Sequence, residues 1–207
     1  MTKALRGNLF VVSAPSGTGK TTLCERLLSS LPDIRESVSY TTRRPRPGEI
    51  QDVHYTFVDE EEFRSMITEG EFVEWARVHG NFYGTSKRRI EDLLNSGVDV
   101  LLDIDIQGGS QIRRHFPDSV LVFVFPPSLT ELRRRLEGRM SDSSEVIESR
   151  LKTARDEVRQ YSAYDYGIVN DYLEEAFSLL CSIIVSERAR IRRMDQTWIE
   201  QEFLQED

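Results

Sequence analysis

The sequence has little cysteine, no long apolar run and no excess of positive charge. Two cysteines, Cys24 and Cys181, occur far apart among 207 residues. This excludes a disulfide framework or a zinc site with the usual ligand spacing, and it is typical of free thiols in a reducing compartment. No stretch approaches the roughly 18 apolar residues of a membrane-spanning helix. We therefore expect no membrane association and a cytoplasmic location.

The charge is negative overall but positive locally. The net charge is -8, whereas a general nucleic-acid-binding protein needs a basic footprint. That class is excluded. Arginine is concentrated in two short segments, "TTRRPRPGE" and "ELRRRLEGR". Local arginine clusters in an acidic chain suit small anions better than polyanions.

Strand and helix patterns alternate along most of the chain. Strand-like runs cover residues 9–14, 98–105, 119–125 and 166–170, and most of them are unbroken apolar stretches. Such stretches are typical of parallel strands covered on both faces. Helical patterns cover 20–31, 86–96, 107–115, 128–138, 143–160 and 172–193. The alternation predicts an α/β fold whose ligands bind beyond the carboxyl ends of the strands.

Two segments depart from this alternation. Residues 37–85 are rich in aromatic residues, Thr, Gly and Pro, and contain short β-like pieces. They predict a small, mostly β insertion. Residues 126–160 begin with two prolines and hold two helical patterns separated by "EGRMSDSS". They predict a helical hairpin that projects from the core.

The stretch "LFVVSAPSGTGKTTL" fits the phosphate-loop template G-x-x-x-x-G-K-[ST] except at Ala14, which replaces the first glycine. Gly17 and Gly19 lie where a positive φ or close phosphate approach would exclude a Cβ. Ala14 lies at the strand's exit, where an ordinary φ makes alanine tolerable. In such a loop, Lys20 reaches the β- and γ-phosphates and the Thr21 hydroxyl binds Mg²⁺. The alternative is a Gly/Ser-rich turn without a ligand.

Two pairs of charged residues are further candidates. Asp103 and Asp105 are two apart, so on a strand both side chains would point to one face at its carboxyl end. Buried carboxylates need a cation or hydrogen-bond donors, and the alternative is a strand end emerging into solvent. Arg43 and Arg46 lie in a proline-stiffened loop and suit bidentate phosphate capture. A solvated basic loop or a polyproline-type ligand are the alternatives there.

Several motifs occur in the order and spacing of guanylate kinase: "SAPSGTGKTTL", "TTRRPRPGE", "HYTFV", "EFVEWA", "GNFYGTS", "LLDIDIQG", "RLEGR" and "IVND". From about residue 6 to 187 the chain resembles the bacterial type of this family. The resemblance implies a P-loop kinase core with a five-stranded parallel sheet, built from residues 1–36, 89–125 and 161–207. It also implies a mixed-β GMP-binding insertion at 37–88 and a helical lid region at 126–160.

The implied activity is ATP-dependent phosphorylation of GMP and dGMP to GDP and dGDP, with Mg²⁺, in purine nucleotide metabolism and GMP recycling. The ATP site implied is Ala14, Pro15, Ser16, Gly17, Thr18, Gly19, Lys20, Thr21 and Asn170. The GMP site implied is Ser39, Arg43, Arg46, Glu49, Tyr55, Glu74, Tyr83, Thr85, Asp103 and Asp105. The implied catalytic group is Lys20, Arg43, Arg135, Arg139 and Arg150. The metal would bind Thr21, with Asp103 acting through water as an option.

The resemblance assigns Glu74, Ser39 and Thr85 to the base. Guanine presents N1–H and N2–H₂ donors, which a carboxylate accepts, whereas adenine would face it with a lone pair. From the sequence alone, the side of the strand that Glu74 occupies is ambiguous. The chain departs from the family at Met140, where glycine is usual, and we expect an effect on hinge flexibility rather than on the reaction.

Two rival functions and one open question accompany this interpretation. The first rival is a non-catalytic scaffold module of the same fold, which the intact G-K-T, arginines and aspartates oppose. The second is a kinase for another nucleoside monophosphate, which Glu74 with Ser39 and Thr85 opposes. The apolar residues Trp198, Ile199, Phe203 and Leu204 would suit a homodimer or a higher homo-oligomer, and equally an unpaired tail.

Overall fold

The structure, a computed structural model, describes residues 5–78, 80–138 and 143–204. Its strands are β1 (Leu9–Ser13), β2 (Ile34–Glu36), β3 (Tyr40–Thr41), β4 (Thr56–Phe57), β5 (Phe72–Val78), β6 (Asn81–Ser86), β7 (Asp99–Asp103), β8 (Val120–Phe125) and β9 (Tyr166–Val169). Its α-helices are α1 (Lys20–Ser30), α2 (Glu60–Thr68), α3 (Lys87–Asn95), α4 (Ile106–His115), α5 (Leu129–Glu137), α6 (Ser144–Val158), α7 (Leu173–Arg188) and α8 (Gln196–Ile199). Short helical turns follow at Tyr161–Ala163, Ile191–Arg193 and Glu200–Leu204.

A five-stranded parallel sheet in the order β2-β7-β1-β8-β9 forms the centre of the protein. All residues of β1 are buried because helices cover both of its faces. Phe10 and Val12 pack with apolar residues of α1 and α7. Leu9 and Val11 pack on the other side with residues of α3 and α4. The predicted α/β fold with a parallel sheet is confirmed.

The segment after β2 forms a second, mixed sheet in the order β4-β3-β6-β5, as predicted. Helix α2 was not predicted from the sequence; its Phe63 and Met66 pack against Phe72 and Phe82. A local signal was present, since the Asp59 side chain caps this helix by accepting a hydrogen bond from the backbone N–H of Glu62. The aromatic and Thr-rich surroundings concealed this short helix.

Two predicted element ends are wrong. Strand β7 ends at Asp103, not at residue 105, because Asp105 caps helix α4 by accepting the N–H of Gly108 at 2.8 Å. The two aspartates therefore do not share a strand face. Helix α7 ends at Arg188 rather than near 193. Its last residue is tied to the core, donating to Asp99 Oδ2 at 2.7 Å and to the Pro32 carbonyl at 2.9 Å.

Helices α5 and α6, predicted as a hairpin, have a small apolar core of their own. Its residues are Leu132, Leu136, Ile147, Leu151 and Ala154. Arg139 and Met140, which the sequence analysis singled out, lie outside the described residues. Within the described ranges, no helix is long and apolar enough to cross a membrane.

Candidate active site

The loop between β1 and α1 has the geometry of an anion cradle at the carboxyl edge of the sheet. Gly17 and Gly19 have φ of +92° and +95°, as predicted for these two positions. In the described chain, the non-glycine residues with positive φ are Asp33 and Asp52, so Ala14 keeps an ordinary backbone. The missing first glycine therefore causes no strain. A cavity of about 330 Å³ is lined by residues 14–22 of this loop.

Contacts from distant parts of the chain hold the loop. Asn170, directly after β9, donates to the Thr18 carbonyl at 2.7 Å, and Arg135 of α5 donates to the same oxygen at 3.4 Å. A Cβ on Gly19 would lie 2.6 Å from Asn170 Nδ2. A Cβ on Gly17 would lie 2.8 Å from a methyl group of Leu136. The loop's shape is therefore fixed by β9 and α5 together.

The structure brings two of the three predicted arginines of the 126–160 region to this loop. Arg135 also donates to Glu131 at 2.9 Å, and hydrogen bonds from Arg134 and Arg135 lower the pKa of Glu131 to about 2. Arg150 of α6 donates to the Ser16 hydroxyl at 3.3 Å. The third arginine, Arg139, is outside the described residues.

Lys20 balances the negative charge of Asp103, the carboxylate at the end of β7. Its ammonium group forms an ion pair with Asp103 and donates to the Ile104 carbonyl at 3.1 Å. The Lys20 and Asp103 side chains are 18% and 16% exposed. The buried-carboxylate interpretation is therefore correct for Asp103, and its cation is Lys20.

A second charged group lies in the insertion. Arg43 makes a two-pronged contact with Glu49 at 2.7 and 3.0 Å, and Glu49 also accepts the backbone N–H of Arg46 at 2.7 Å. The Arg43 guanidinium lies 5.4 Å from the ring centre of Tyr55, whose ring is 5.9 Å from that of Tyr83. Hydrogen bonds from Arg43 and Arg46 lower the pKa of Glu49 to about 2, so this carboxylate stays charged.

The Arg46 side chain is exposed at the edge of this group. Ser39 is half-buried, and its carbonyl accepts the N–H of Thr56 at 2.9 Å. Arg43, Tyr55 and Tyr83 of the predicted GMP site thus lie together, with Glu49 paired to Arg43, and Arg46 joins them through its backbone N–H.

A third group contains the residues predicted to face the base. The buried Thr85 hydroxyl donates to Glu74, which is partly buried. Burial raises the pKa of Glu74, and the nearby charge of Asp105 raises it further, while the Thr85 bond opposes both. A Cβ on Gly108 would lie 3.4 Å from both Glu74 Oε2 and Asp105 Oδ1. Glu74 therefore points inward, toward the carboxyl edge of the main sheet.

Two cavities meet at one residue of α1. A second cavity, of about 390 Å³, reaches from Thr21, Cys24 and Asp103 to Glu49 and Tyr55. Thr21 also lines the cavity of the glycine-rich loop. The two cavities therefore adjoin at Thr21; the glycine-rich loop lines the first, and Glu49, the partner of Arg43, lines the second.

Comparison with known proteins agrees with this arrangement. The family model described as guanylate kinase matches residues 6–187. A guanylate kinase of Geobacter metallireducens is 51% identical over 92% of this chain and 94% of its own. One from Dechloromonas aromatica is 53% identical over 87% of this chain and 89% of its own. The crystal structure of guanylate kinase from Anaplasma phagocytophilum superposes with a TM-score of 0.78 at 35% identity and covers all of both chains.

The chain belongs to the guanylate kinase family. Guanylate kinases are nucleoside monophosphate kinases that transfer a phosphoryl group from ATP to GMP. The match covers both the glycine-rich loop and the insertion, the two regions that carry the cavities above. The enzyme interpretation is therefore confirmed over the scaffold and over a kinase for another monophosphate.

One residue that lines the candidate site was not predicted from the sequence. Glu157, near the end of α6, lines the cavity of the glycine-rich loop together with Asp105. Burial raises the pKa of Glu157, and the Asp105 charge adds to that shift. A signal existed, since Arg150, Ala154 and Glu157 are spaced at i, i+4 and i+7 and so share one helix face. The sequence does not show that this face of α6 turns toward the glycine-rich loop.

The donor set around the loop fits the Mg²⁺ that guanylate kinase chemistry generally uses. Thr21 offers a hydroxyl, and Asp103 and Asp105 offer carboxylates, which are the oxygen ligands that Mg²⁺ prefers. Residues 5–78, 80–138 and 143–204 contain no group of three or more His, Cys, Asp or Glu that could form a complete metal cage.

Proposed function

We propose that this guanylate kinase binds Mg·ATP on residues 14–21 and GMP against residues 37–88, with the two phosphate groups meeting beside Thr21. The observation that carries the proposal is the position of Thr21 in the walls of both cavities. In-line phosphoryl transfer needs the attacking and leaving oxygens close together. Two cavities that adjoin at one side chain, one lined by the glycine-rich loop and the other by Glu49 and Tyr55 of the insertion, satisfy this need.

The GMP phosphate is held by Arg43 and Arg46 with Tyr55 and Tyr83. Glu49 and the Arg44 carbonyl take three N–H groups of Arg43, leaving part of its fork of five donors for an incoming phosphate. Glu49 thus orients the guanidinium before the substrate arrives. A preorganised arginine binds an anion without the entropy cost of being ordered.

The base is read by Glu74, Ser39 and Thr85. Glu74 accepts the N1–H and N2–H₂ donors of guanine, and a hydroxyl donates to O6. Asp103 and Asp105 complete the inner wall. Because the proposed contacts fall on the phosphate and the base, dGMP retains them and is a substrate as well.

The chemistry needs positioning and charge neutralisation rather than covalent catalysis. Lys20, Arg135, Arg139 and Arg150 neutralise the transferred phosphoryl group when the lid region 126–160 closes over the core of 1–36, 89–125 and 161–207. Thr21, with Asp103 acting through water, would hold Mg²⁺, which would supply further neutralisation of the phosphate charge. The acceptor oxygen is largely ionised at neutral pH, so no general base is required. Closure also excludes water as a competing acceptor.

Asn170 contacts the adenine side of ATP while it supports the loop through Thr18. We also propose a cytoplasmic location, where both nucleotides are available. The thiols Cys24 and Cys181 are free in the structure, which suits a reducing compartment. Cell fractionation with an antibody against the chain tests this location.

The site assignment is tested by ADP release with GMP, dGMP, AMP and UMP. Wild type should use GMP and dGMP. Glu74→Gln should raise the KM for GMP by roughly 10- to 100-fold, the worth of a hydrogen bond to a charged group. Glu71→Gln, at an exposed neighbouring position, is the matched control and should behave as wild type. A Glu74→Gln enzyme with an unchanged KM for GMP would refute the base site.

A further inference from the structure

Arg89 connects the insertion to the core through an unusual number of contacts. It is the third residue of α3, the helix that follows the insertion, and its side chain is 32% exposed. The guanidinium donates to the Thr56 hydroxyl at 2.6 Å, to the Val38 carbonyl at 3.2 Å and to Asp52 at 3.3 Å. It also lies 4.4 Å from the ring centre of Tyr40. One side chain therefore ties two separate segments of the insertion to a core helix.

These contacts fall beside the residues proposed to bind GMP, not on them. Val38 directly precedes Ser39, and the Ser39 carbonyl accepts the N–H of Thr56 at 2.9 Å. Asp52 and Thr56 flank Tyr55, and the Asp52 N–H donates to the Tyr55 carbonyl at 2.9 Å. Arg89 thus fixes both ends of the local framework from which Ser39 and Tyr55 project.

The Asp52 backbone adds a reason for this anchor. Asp52 has a φ of +59°, in the left-handed region that costs a non-glycine residue on the order of 1 kcal/mol. Its carboxylate accepts the Thr56 hydroxyl at 2.6 Å as well as the Arg89 guanidinium. These two bonds stabilise the turn and offset the cost of its left-handed backbone.

The anchored turn leads to the phosphate group of the site. The Tyr55 ring lies 5.4 Å from the Arg43 guanidinium and 5.9 Å from the Tyr83 ring. A shift of the Asp52 turn would move Tyr55 and change the surface on which Arg43 rests.

We propose that Arg89 is a positioning residue for GMP, which fixes the 38–40 and 52–56 segments so that Ser39, Tyr55 and Arg43 are preorganised. The inference rests on the proposed function, in which those three residues contact GMP. A planar fork is required because the acceptors lie in different directions, which a single ammonium group does not satisfy. The contribution concerns binding of GMP and leaves the ATP loop unaffected.

The test compares Arg89→Ala with Arg88→Ala. Arg88 is the adjacent residue, 91% exposed, and its contact with Asp92 is 3.7 Å long. Arg89→Ala should raise the KM for GMP by about 10-fold, as expected for losing one charged hydrogen bond. The KM for ATP and kcat at saturating GMP should stay within about twofold, since those depend on the other cradle. Arg88→Ala should match wild type in all three quantities.

Two further variants keep the inference testable if Arg89→Ala does not fold. Arg89→Lys should give an intermediate KM for GMP, because lysine keeps the charge but loses the fork. Thr56→Val removes the shortest Arg89 contact at similar volume and should raise the same KM. In the Thr56→Val background, the Arg89→Lys effect should be smaller than in wild type, because part of that effect passes through the Thr56 hydroxyl.

Other outcomes overturn the inference. An unchanged KM for GMP in a folded Arg89 variant would do so, as would an equal rise in the KM for ATP. Arg43→Ala, measured alongside, separates a failure of the positioning role from a failure of the proposed GMP site. If Arg43→Ala raises the KM for GMP and the Arg89 variants do not, the positioning role alone is wrong. If Arg43→Ala also leaves it unchanged, the proposed GMP site is wrong and the inference falls with it.

Discussion

Between β1 and α1 the anion cradle is made of main chain, whereas the anion cradle proposed for the insertion is made of side chains. The loop depends on the positive φ of Gly17 and Gly19 and on the N-terminus of α1. The insertion instead orients Arg43 by pairing it with Glu49 beside Tyr55. The main-chain cradle is therefore sensitive to added atoms, and the side-chain cradle is sensitive to changes of charge.

The supports of the two cradles differ in the same way. The loop is held by residues far away in sequence, such as Asn170, which is 152 positions from the Thr18 that it contacts. The Arg43–Glu49 pair is local, since its members are six positions apart. A main-chain loop needs such distant contacts to hold one shape, whereas a bidentate ion pair orients an arginine by itself.

The largest effect is expected for Lys20, the charged side chain beside the main-chain cradle. Lys20→Ala should lower kcat/KM by about 1,000-fold, because it removes a positive charge aimed at the transferred phosphoryl group. Lys152→Ala, at an exposed position of α6, controls for loss of one lysine. Steady-state ADP release and circular dichroism should show an inactive but folded enzyme. A folded Lys20→Ala enzyme with near-normal turnover would remove Lys20 from the catalytic group.

A smaller effect should follow from adding one methyl group to the loop. Gly17→Ala places a Cβ 2.8 Å from the buried Leu136 at a φ of +92°. Backbone strain of about 1 kcal/mol and overpacking of similar size predict a roughly 10- to 30-fold rise in the KM for ATP. The KM for GMP should change much less.

Gly70→Ala is the matched control for backbone strain. Gly70 has a φ of +70° with nothing within 4 Å of an added Cβ. It should cost about 1 kcal/mol of unfolding free energy and leave both KM values unchanged. If Gly17→Ala behaves in the same way, the loop is not held against α5 as described.

The smallest effect is a difference in pH dependence within the side-chain region. Burial and Asp105 raise the pKa of Glu74, whereas Arg43 and Arg46 lower that of Glu49 to about 2. On acidification Glu74 therefore gains a proton above the ordinary glutamate value of about 4.3, while Glu49 stays ionised. A protonated Glu74 accepts guanine's donors poorly, so the KM for GMP should rise as the pH falls.

Glu74→Gln isolates this titration. The GMP phosphate also titrates in the acidic range, but it does so equally with both enzymes. The KM of Glu74→Gln divided by that of wild type should therefore fall toward one as the pH is lowered, because the wild type loses its charged acceptor. A ratio that begins to fall only at the ordinary glutamate pKa of about 4.3 would mean that the pKa of Glu74 is not raised in the enzyme.

Some parts of the site could be predicted from sequence because their cause is local. Positive φ at Gly17 and Gly19 follows from glycine's missing Cβ and the motif around it. The buried strands follow from unbroken apolar runs such as residues 9–13. Asp105 was misplaced because a two-residue spacing describes a strand only while the strand continues, and the capping bond to Gly108 ends it.

The sequence by itself determined the alternation of strands and helices, the glycine-rich loop and the presence of an arginine-bearing insertion, because each depends on neighbours within a few positions. Only the tertiary structure decided that Asp103 pairs with Lys20, that Glu157 faces the loop and that Arg89 spans two segments of the insertion. Those contacts join positions far apart in the chain. Which partners meet is set by how the helices and sheets pack, and no periodicity within one segment carries that information.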